Sequence, residues 1–268
     1  IFTSMYIGVD GVFIANCVGS NALSAINIVF PAIMVLGAFG FMLGAGGSAE
    51  VGRALGEGKE DLAKQYFTTL ILTILSVGAV LSLAVYLFIE PISRLLGATD
   101  LLIDDCIVYG RILAAGNVFF MLQTAFQTFF VRSEKPKLGL LFTISSGITN
   151  MIFDFVFVYL FEMGVAGAAF ATVMGYAVGG VIPLFYFARK NGSLLRFTKT
   201  SLYPRMLLAS AANGSSEMVS NLSASVVTML YNWQMLRLLG EGGVAAITAI
   251  MYINFIFVAV NIGFSIGA

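Results

Sequence analysis

Leu138-Gly-Leu-Leu-Phe-Thr-Ile-Ser-Ser-Gly-Ile-Thr-Asn-Met-Ile-Phe-Asp-Phe-Val-Phe-Val-Tyr-Leu-Phe161 contains a single charged residue, Asp154. As a helix it rises about 1.5 Å per residue, enough to cross the ~30 Å hydrocarbon core of a bilayer. The rest of the chain repeats the pattern. Apolar runs cover roughly residues 1–17, 22–48, 66–89, 107–131, 138–161, 165–188, 207–239 and 244–268. Glycine-bearing, polar or charged breaks separate them, such as Gly56-Glu57-Gly58-Lys59-Glu60-Asp61 and Gly240-Glu241-Gly242-Gly243. The runs are too long and too evenly apolar for the ~10-residue alternating strands of a membrane barrel. An all-α polytopic membrane protein with eight transmembrane helices is expected. The first run is already under way at Ile1 and the last is unfinished at Ala268, so the chain reads as part of a longer one.

Composition agrees. Of 268 residues, 59% are hydrophobic and 10% charged, where an ordinary soluble domain has about 25% charged residues. The mean hydropathy is +0.95. So much apolar surface cannot be hidden inside a water-soluble body of this size, which excludes a soluble enzyme, a nucleic-acid reader and a disordered linker. Lys+Arg and Asp+Glu are equal at 14 each, so charge points to no polyanionic partner. There is no histidine, the commonest general base and metal ligand. Cys17 and Cys106 make neither a zinc site nor a disulfide framework by themselves. The glycine-rich stretch Gly44 to Gly58 lacks phosphate-loop spacing, since Arg53 stands where its first glycine should be. No catalytic residue and no cofactor is expected. The expected partners are membrane lipid and small amphipathic or cationic substrates, with no nucleic acid, for a monomer.

Eleven of the 14 basic residues flank alternate breaks: Arg53, Lys59 and Lys64; Arg132, Lys135 and Lys137; Arg189, Lys190, Arg196, Lys199 and Arg205. The positive-inside rule then places the loops after spans 2, 4 and 6 in the cytoplasm of a plasma-membrane protein. The longest of these, residues 190–206, follows six spans. Gly19 to Ile26 is echoed by Gly240 to Ile247, and Gly40-Phe-Met-Leu-Gly-Ala45 by Gly263-Phe-Ser-Ile-Gly-Ala268. A repeat in the same direction after six spans implies two lobes related about the membrane normal. The expected organisation is a lobe over 1–189, a linker over 190–206 and the start of a second lobe over 207–268.

Ionisable residues within a span are costly and generally face a cavity or a pathway. Asp10 and Asp154 both qualify. Asn150 lies one helical turn from Asp154 on the same face. At about 1.5 Å per residue, Asp10, Asp154 and Thr172 each lie roughly 10 Å below the outer ends of spans 1, 5 and 6, with Asn150 about 6 Å deeper. Four oxygen-bearing side chains from three helices thus share a layer suited to a proton or a hard cation such as Na+. Tyr109, near the outer start of span 4, reads as an interface aromatic. Gln123 and Gln127 lie deeper and either line a cavity or pack. Glu217 opens span 7 as a cytoplasmic-end acid or as a first contact for a cationic substrate, and Ser220, Asn221, Ser223, Ser225 and Thr228 follow it.

In order along the chain, Asp10 followed by Gly19 to Ala25, the glycine-rich end of span 2, the Pro91 to Gly97 turn before Tyr109, the Arg132 to Pro136 loop, Asn150-x-x-x-Asp154 and Gly164-Val-Ala-Gly-Ala-Ala-Phe-Ala-Thr172 resemble the multidrug and toxic compound extrusion (MATE) family. The resemblance covers essentially the whole chain. It implies twelve helices in two six-helix lobes and efflux of organic cations or amphipathic compounds by antiport against H+ or Na+. It also implies a cation site at Asp10, Asn150, Asp154 and Thr172, with Tyr109 and Gln127 near accessory positions and Glu217 matching a second-lobe carboxylate of some branches. A lipid-linked sugar flippase of the same superfamily is the alternative. Such a flippase would favour a cationic central cavity, and most spans here lack basic residues.

Overall fold

The computed structural model describes residues 10–267 except 12 and 191. It is helical, with no strand among the described residues. Residues 10, 11 and 13–17 form the described part of α1; the start of the first expected span, with Tyr6 to Val9, lies outside the described residues. Then follow α2 (Ser20–Gly56), α3 (Glu60–Leu95), α4 (Ile103–Arg132), α5 (Pro136–Asp154), a π-helical extension (Phe155–Leu160), α6 (Gly164–Ala188) and α7 (Pro204–Gly267). With its extension counted to α5, each of α2 to α6 is long and apolar enough to cross a membrane. Expected spans 7 and 8 form the single run α7, broken at Gly240 with φ 66° and ψ −158°. That backbone suits glycine because a Cβ would strain it.

Proline accounts for the one sharp irregularity in α3. Pro91 cannot donate to the carbonyl four residues earlier and crowds it, and Phe88 departs from helical geometry at φ −105° and ψ 17°. In the α2–α3 connection, Lys59 donates to Glu57 at 2.7 Å and holds that carboxyl below its ordinary range.

The centre of the bundle is α4, which packs against α2, α3, α5 and α6. One apolar core joins Ile14, Ile26, Val29, Tyr109, Leu113, Val165 and Ala169. The other is aromatic and lies towards the opposite end, where Phe67, Phe126, Phe129, Phe130 and Phe187 interlock with ring centroids 4.9–6.4 Å apart. Large apolar side chains also cover the outside, among them Leu72, Val80, Leu83, Ile152, Phe170 and Phe185. That is the surface a lipid solvent requires.

The stretch expected as a linker, 190–206, is fastened down between Leu195 and Tyr203. Thr198 N–H donates to Thr68 Oγ1 at 3.1 Å and Thr200 Oγ1 to the Gln65 carbonyl at 3.0 Å. Tyr203 OH is hydrogen-bonded to Gln65 Oε1. Phe197 stacks on Phe67 at 5.2 Å, and Leu195 is fully buried.

The arm of α7 before Gly240 lies along α2. At one end Gly46 and Gly214 bring the two backbones together: a Cβ on Gly46 would stand 1.8 Å from the Ser210 carbonyl oxygen, and one on Gly214 2.0 Å from that of Met42. Nearby, Asn213 Nδ2 donates to Glu50 at 3.1 Å, and Glu50 also pairs with Arg53. Towards the other end, Asn27 Nδ2 donates to Asn232 Oδ1 at 2.9 Å, and Asn232 Nδ2 returns a bond to the Asn27 carbonyl at 3.2 Å. Ser24 Oγ and Thr99 Oγ1 reach Glu241 O and Oε1, each at 3.0 Å.

Candidate functional site

Helix α5 is inside out. Ser146, Asn150 and Asp154 follow one another at four-residue steps and are 1%, 3% and 0% exposed, while Ile148 and Ile152 between them are 44% and 55% exposed. In water this face would turn outward; in lipid it must turn inward, because hydrocarbon cannot solvate it. Directly after Asp154 the helix widens into π geometry, with Phe161 N–H bonded to the Val156 carbonyl five residues back. Such turns recur beside functional groups.

From α1, Asp10 brings its carboxyl within hydrogen-bonding reach of Asp154. Asp10 is half-buried as a residue, but its Oδ1 is sealed from solvent. Carboxylates only accept hydrogen bonds, so the pair cannot bond while both are ionised. Asp10 Oδ1, both oxygens of Asp154 and Asn150 Oδ1 have no donor among the described residues. Two unpaired negative charges side by side in an apolar bundle cost several kcal/mol. A proton shared between the carboxyls, or a cation held by the four oxygens, removes that cost. Among the described residues there is no cluster of three or more His, Cys, Asp or Glu side chains fit to hold a metal ion.

Helix α6 closes over this face because it carries glycine where the two helices meet. A Cβ on Gly175 would lie 3.0 Å from the Ser146 carbonyl oxygen and 3.1 Å from Asn150 Cβ. Ser146 Oγ donates to the Gly175 carbonyl at 2.7 Å and accepts from Gln123 Nε2 at 3.1 Å, tying α4, α5 and α6 through buried atoms.

The other expected site residues are spread more widely. Thr172 is half-buried on α6, and its Oγ1 donates to the Ala168 carbonyl of its own helix at 3.0 Å. Tyr109, read as an interface aromatic, is corrected: it is 4% exposed in the core beside Val29 and Leu113. Its place on the inward face of α4, opposite α2, is the reason. Gln127 is exposed and bonds Thr143 at 3.3 Å, while Gln123 is buried. Glu217 is exposed on α7 and its carbonyl accepts from Asn221. Cys17 is exposed, Cys106 is buried, and both are free thiols. Buried polar positions that escape sequence reasoning include Ser146 on α5 and Asn117 on α4. Ser146 continues the four-residue rhythm of Asn150 and Asp154, a signal present in the sequence. Asn117 is fully buried, and neither of its side-chain polar atoms has a partner among the described residues; nothing in its local sequence marks it.

A family model described as MatE matches residues 1–156. The chain is 28% identical over 183 residues to the multidrug export protein MepA of Staphylococcus haemolyticus, covering 68% of this chain and 40% of that protein. It is also 28% identical over 185 residues to an FAD transporter of Shewanella oneidensis, covering 66% and 40%. The structure superposes on a ligand complex of the MATE multidrug transporter DinF-BH with a TM-score of 0.87 at 24% identity, over 94% of this chain and 57% of that one. The chain spans about 40% of the length of the curated relatives it matches.

Proposed function

The chain belongs to the MatE family, and from that premise we propose that the intact protein is a secondary active exporter. It carries organic cations and other amphipathic drugs out of the cytoplasm in exchange for H+ or Na+. The observation that supports this reading is the pair Asp10 and Asp154 with Asn150: Asp10 Oδ1, both Asp154 oxygens and Asn150 Oδ1 are sealed from solvent and find no donor among the described residues. Such a set is stable only with a positive charge on it, which makes its packing sensitive to whether a cation is bound.

In this reading residues 1–189 are one lobe, 190–206 the connection and 207–268 the start of the second, in the plasma membrane with the loops after α2, α4 and α6 cytoplasmic. Cation binding neutralises the layer and lets α1, α5 and α6 repack towards a state that releases drug outside. Thr172, on α6 beside this layer, completes the ligand set when its hydroxyl turns from its own helix. Drug and cation favour opposite-facing states, and that differential affinity is what coupling requires. Each net charge that enters across 100 mV supplies about 2.3 kcal/mol, enough to raise a neutral drug exchanged for one ion, or a monovalent cation exchanged for two, roughly fiftyfold against its gradient. The exposed Glu217 and the polar face of α7 after it contact the cationic substrate, and Tyr109 and Gln127 support the site from α4.

The test uses the intact gene product in sealed vesicles. Uptake of rhodamine 6G, a cationic fluorescent dye, is followed under an imposed proton or Na+ gradient for wild type and Asp154→Asn. Gradient-driven uptake that disappears in the variant is expected, and the effective gradient identifies the ion. Coupled uptake that survives Asp154→Asn refutes the proposal.

A further inference from the structure

The polar face of α5 does not stop at the carboxylates. It continues in one direction only. On one side of Asp154 the next position on that face is Val158, buried and apolar. On the other side follow Asn150, Ser146 and Thr143, at steps of about 5–6 Å. Helix α4 supplies a second rail: Gln123 bonds Ser146, and Gln127 bonds Thr143. The series begins at a fully buried carboxylate and ends at Gln127, which is exposed near the Arg132 end of α4.

We infer that this face, from Asp154 through Asn150, Ser146 with Gln123, and Thr143 with Gln127, is the route by which the coupling cation leaves the carboxylate pair. The inference rests on the cation-site reading above and adds a direction and named steps to it. Three observations support it. Two of the steps carry an acceptor that nothing among the described residues satisfies, Asn150 Oδ1 and Gln123 Oε1, although the side chains are 3% and 5% exposed. Interhelical glue alone would leave no reason to bury unpaired acceptors at successive rungs. A crevice of about 10 Å³ lies at the exposed end, lined by the polar Gln123, Gln127 and Thr143 and by the rings of Phe126, Phe130 and Phe142, room for about one water. Finally, α6 packs directly against this rail and makes room for it with a glycine: a Cβ on Gly179 would fall 2.7 Å from Gln123 Cδ. Several weak oxygen sites in series let an ion leave a strong one without a single high barrier. For a proton, the Ser146 hydroxyl both accepts and donates, and water in the crevice carries it onward.

Ser146→Ala removes the hydroxyl without adding bulk, and Gln123→Met keeps the side-chain volume while removing its polarity. In the intact gene product three quantities are measured: equilibrium binding of rhodamine 6G, displacement of bound dye by added H+ or Na+, and gradient-driven dye uptake in vesicles. A route predicts binding and displacement unchanged, because the carboxylate pair is intact, with uptake slowed about tenfold or more. Uptake at the wild-type rate in both variants overturns the route, as does loss of dye binding together with uptake, which would make these residues structural. Asp154→Asn is run in parallel. If it alone loses coupled uptake, the route fails and the site stands; if it retains coupled uptake, the site reading fails and the route with it.

Discussion

Two seams of this molecule bury polar groups, and they do so in opposite ways. Along α2 and α7 the polar groups meet partners: Asn27 and Asn232 exchange bonds, Ser24 reaches Glu241, and Asn213 reaches Glu50. Along α5, facing α1, α4 and α6, Asp10 Oδ1, both carboxylate oxygens of Asp154 and the amide oxygens of Asn150 and Gln123 are left without donors among the described residues. Satisfied groups fix an arrangement, because breaking it exposes them unpaired to hydrocarbon. Unsatisfied ones leave an arrangement incomplete until something charged or wet arrives. The first seam is closed on itself, while the second keeps acceptors that nothing among the described residues fills.

The largest effect should come from the second seam. Asp154→Asn removes the charge that calls for a cation, so gradient-driven rhodamine 6G uptake should fall about a hundredfold or more. Thermal unfolding in detergent should shift little or upward, since a buried charge has been deleted. A variant that unfolds easily and transports normally would reverse the contrast.

On the first seam the sensitive point is steric. Gly46→Ala forces a methyl into the Ser210 carbonyl. Overpacking of this kind should cost about 3 kcal/mol, read as a clear drop in the unfolding midpoint. A wild-type midpoint would show that α2 and α7 are not in close contact there. Next comes Asn27→Ala, which strands Asn232. Interhelical hydrogen bonds in bilayers average about 0.6 kcal/mol and reach about 1.7, so a loss near 1 kcal/mol is expected, with the double variant Asn27→Ala/Asn232→Ala no worse than the single. Strict additivity would mean that the two amides do not act as a pair. The smallest effect belongs to Gln127→Ala. It removes one long, exposed bond to Thr143 and should change stability by less than about 0.5 kcal/mol. Its uptake rate separates a member of the exit series from a bystander.

These seams differ also in how far the sequence discloses them. Asp10 and Asp154 are conspicuous because a carboxylate within an apolar run has few roles, and the four-residue spacing puts Asn150 beside Asp154 at once. The helix bounds are readable for a similar reason: Gly56 to Asp61 and Gly240 to Gly243 interrupt runs that hydrocarbon demands be continuous. Asn27 and Asn232 stand 205 positions apart, and no local pattern says that they meet. The same holds for Gly46 and Gly214, whose role is set by a neighbour's backbone. Tyr109 is misplaced by sequence reasoning because an aromatic near a helix end fits the interface as well as the core. The direction in which α4 turns decides between them, and periodicity is weak in a helix buried on most sides. Ser146 is within reach, since it falls one turn before Asn150, but serine is common in membrane helices and draws attention only once its partners are seen.

The fastening within residues 190–206 bears on what happens if the chain is cut. Trypsin has candidate sites at Arg189, Lys190, Arg196, Lys199 and Arg205, yet Leu195 and Phe197 anchor the middle of the segment in the aromatic core and Thr198 and Thr200 are bonded to α3. A nick at Lys190 would therefore sever the polymer without freeing either piece. The downstream part would stay moored by its own side chains, and two fragments expressed separately would carry the means to find each other.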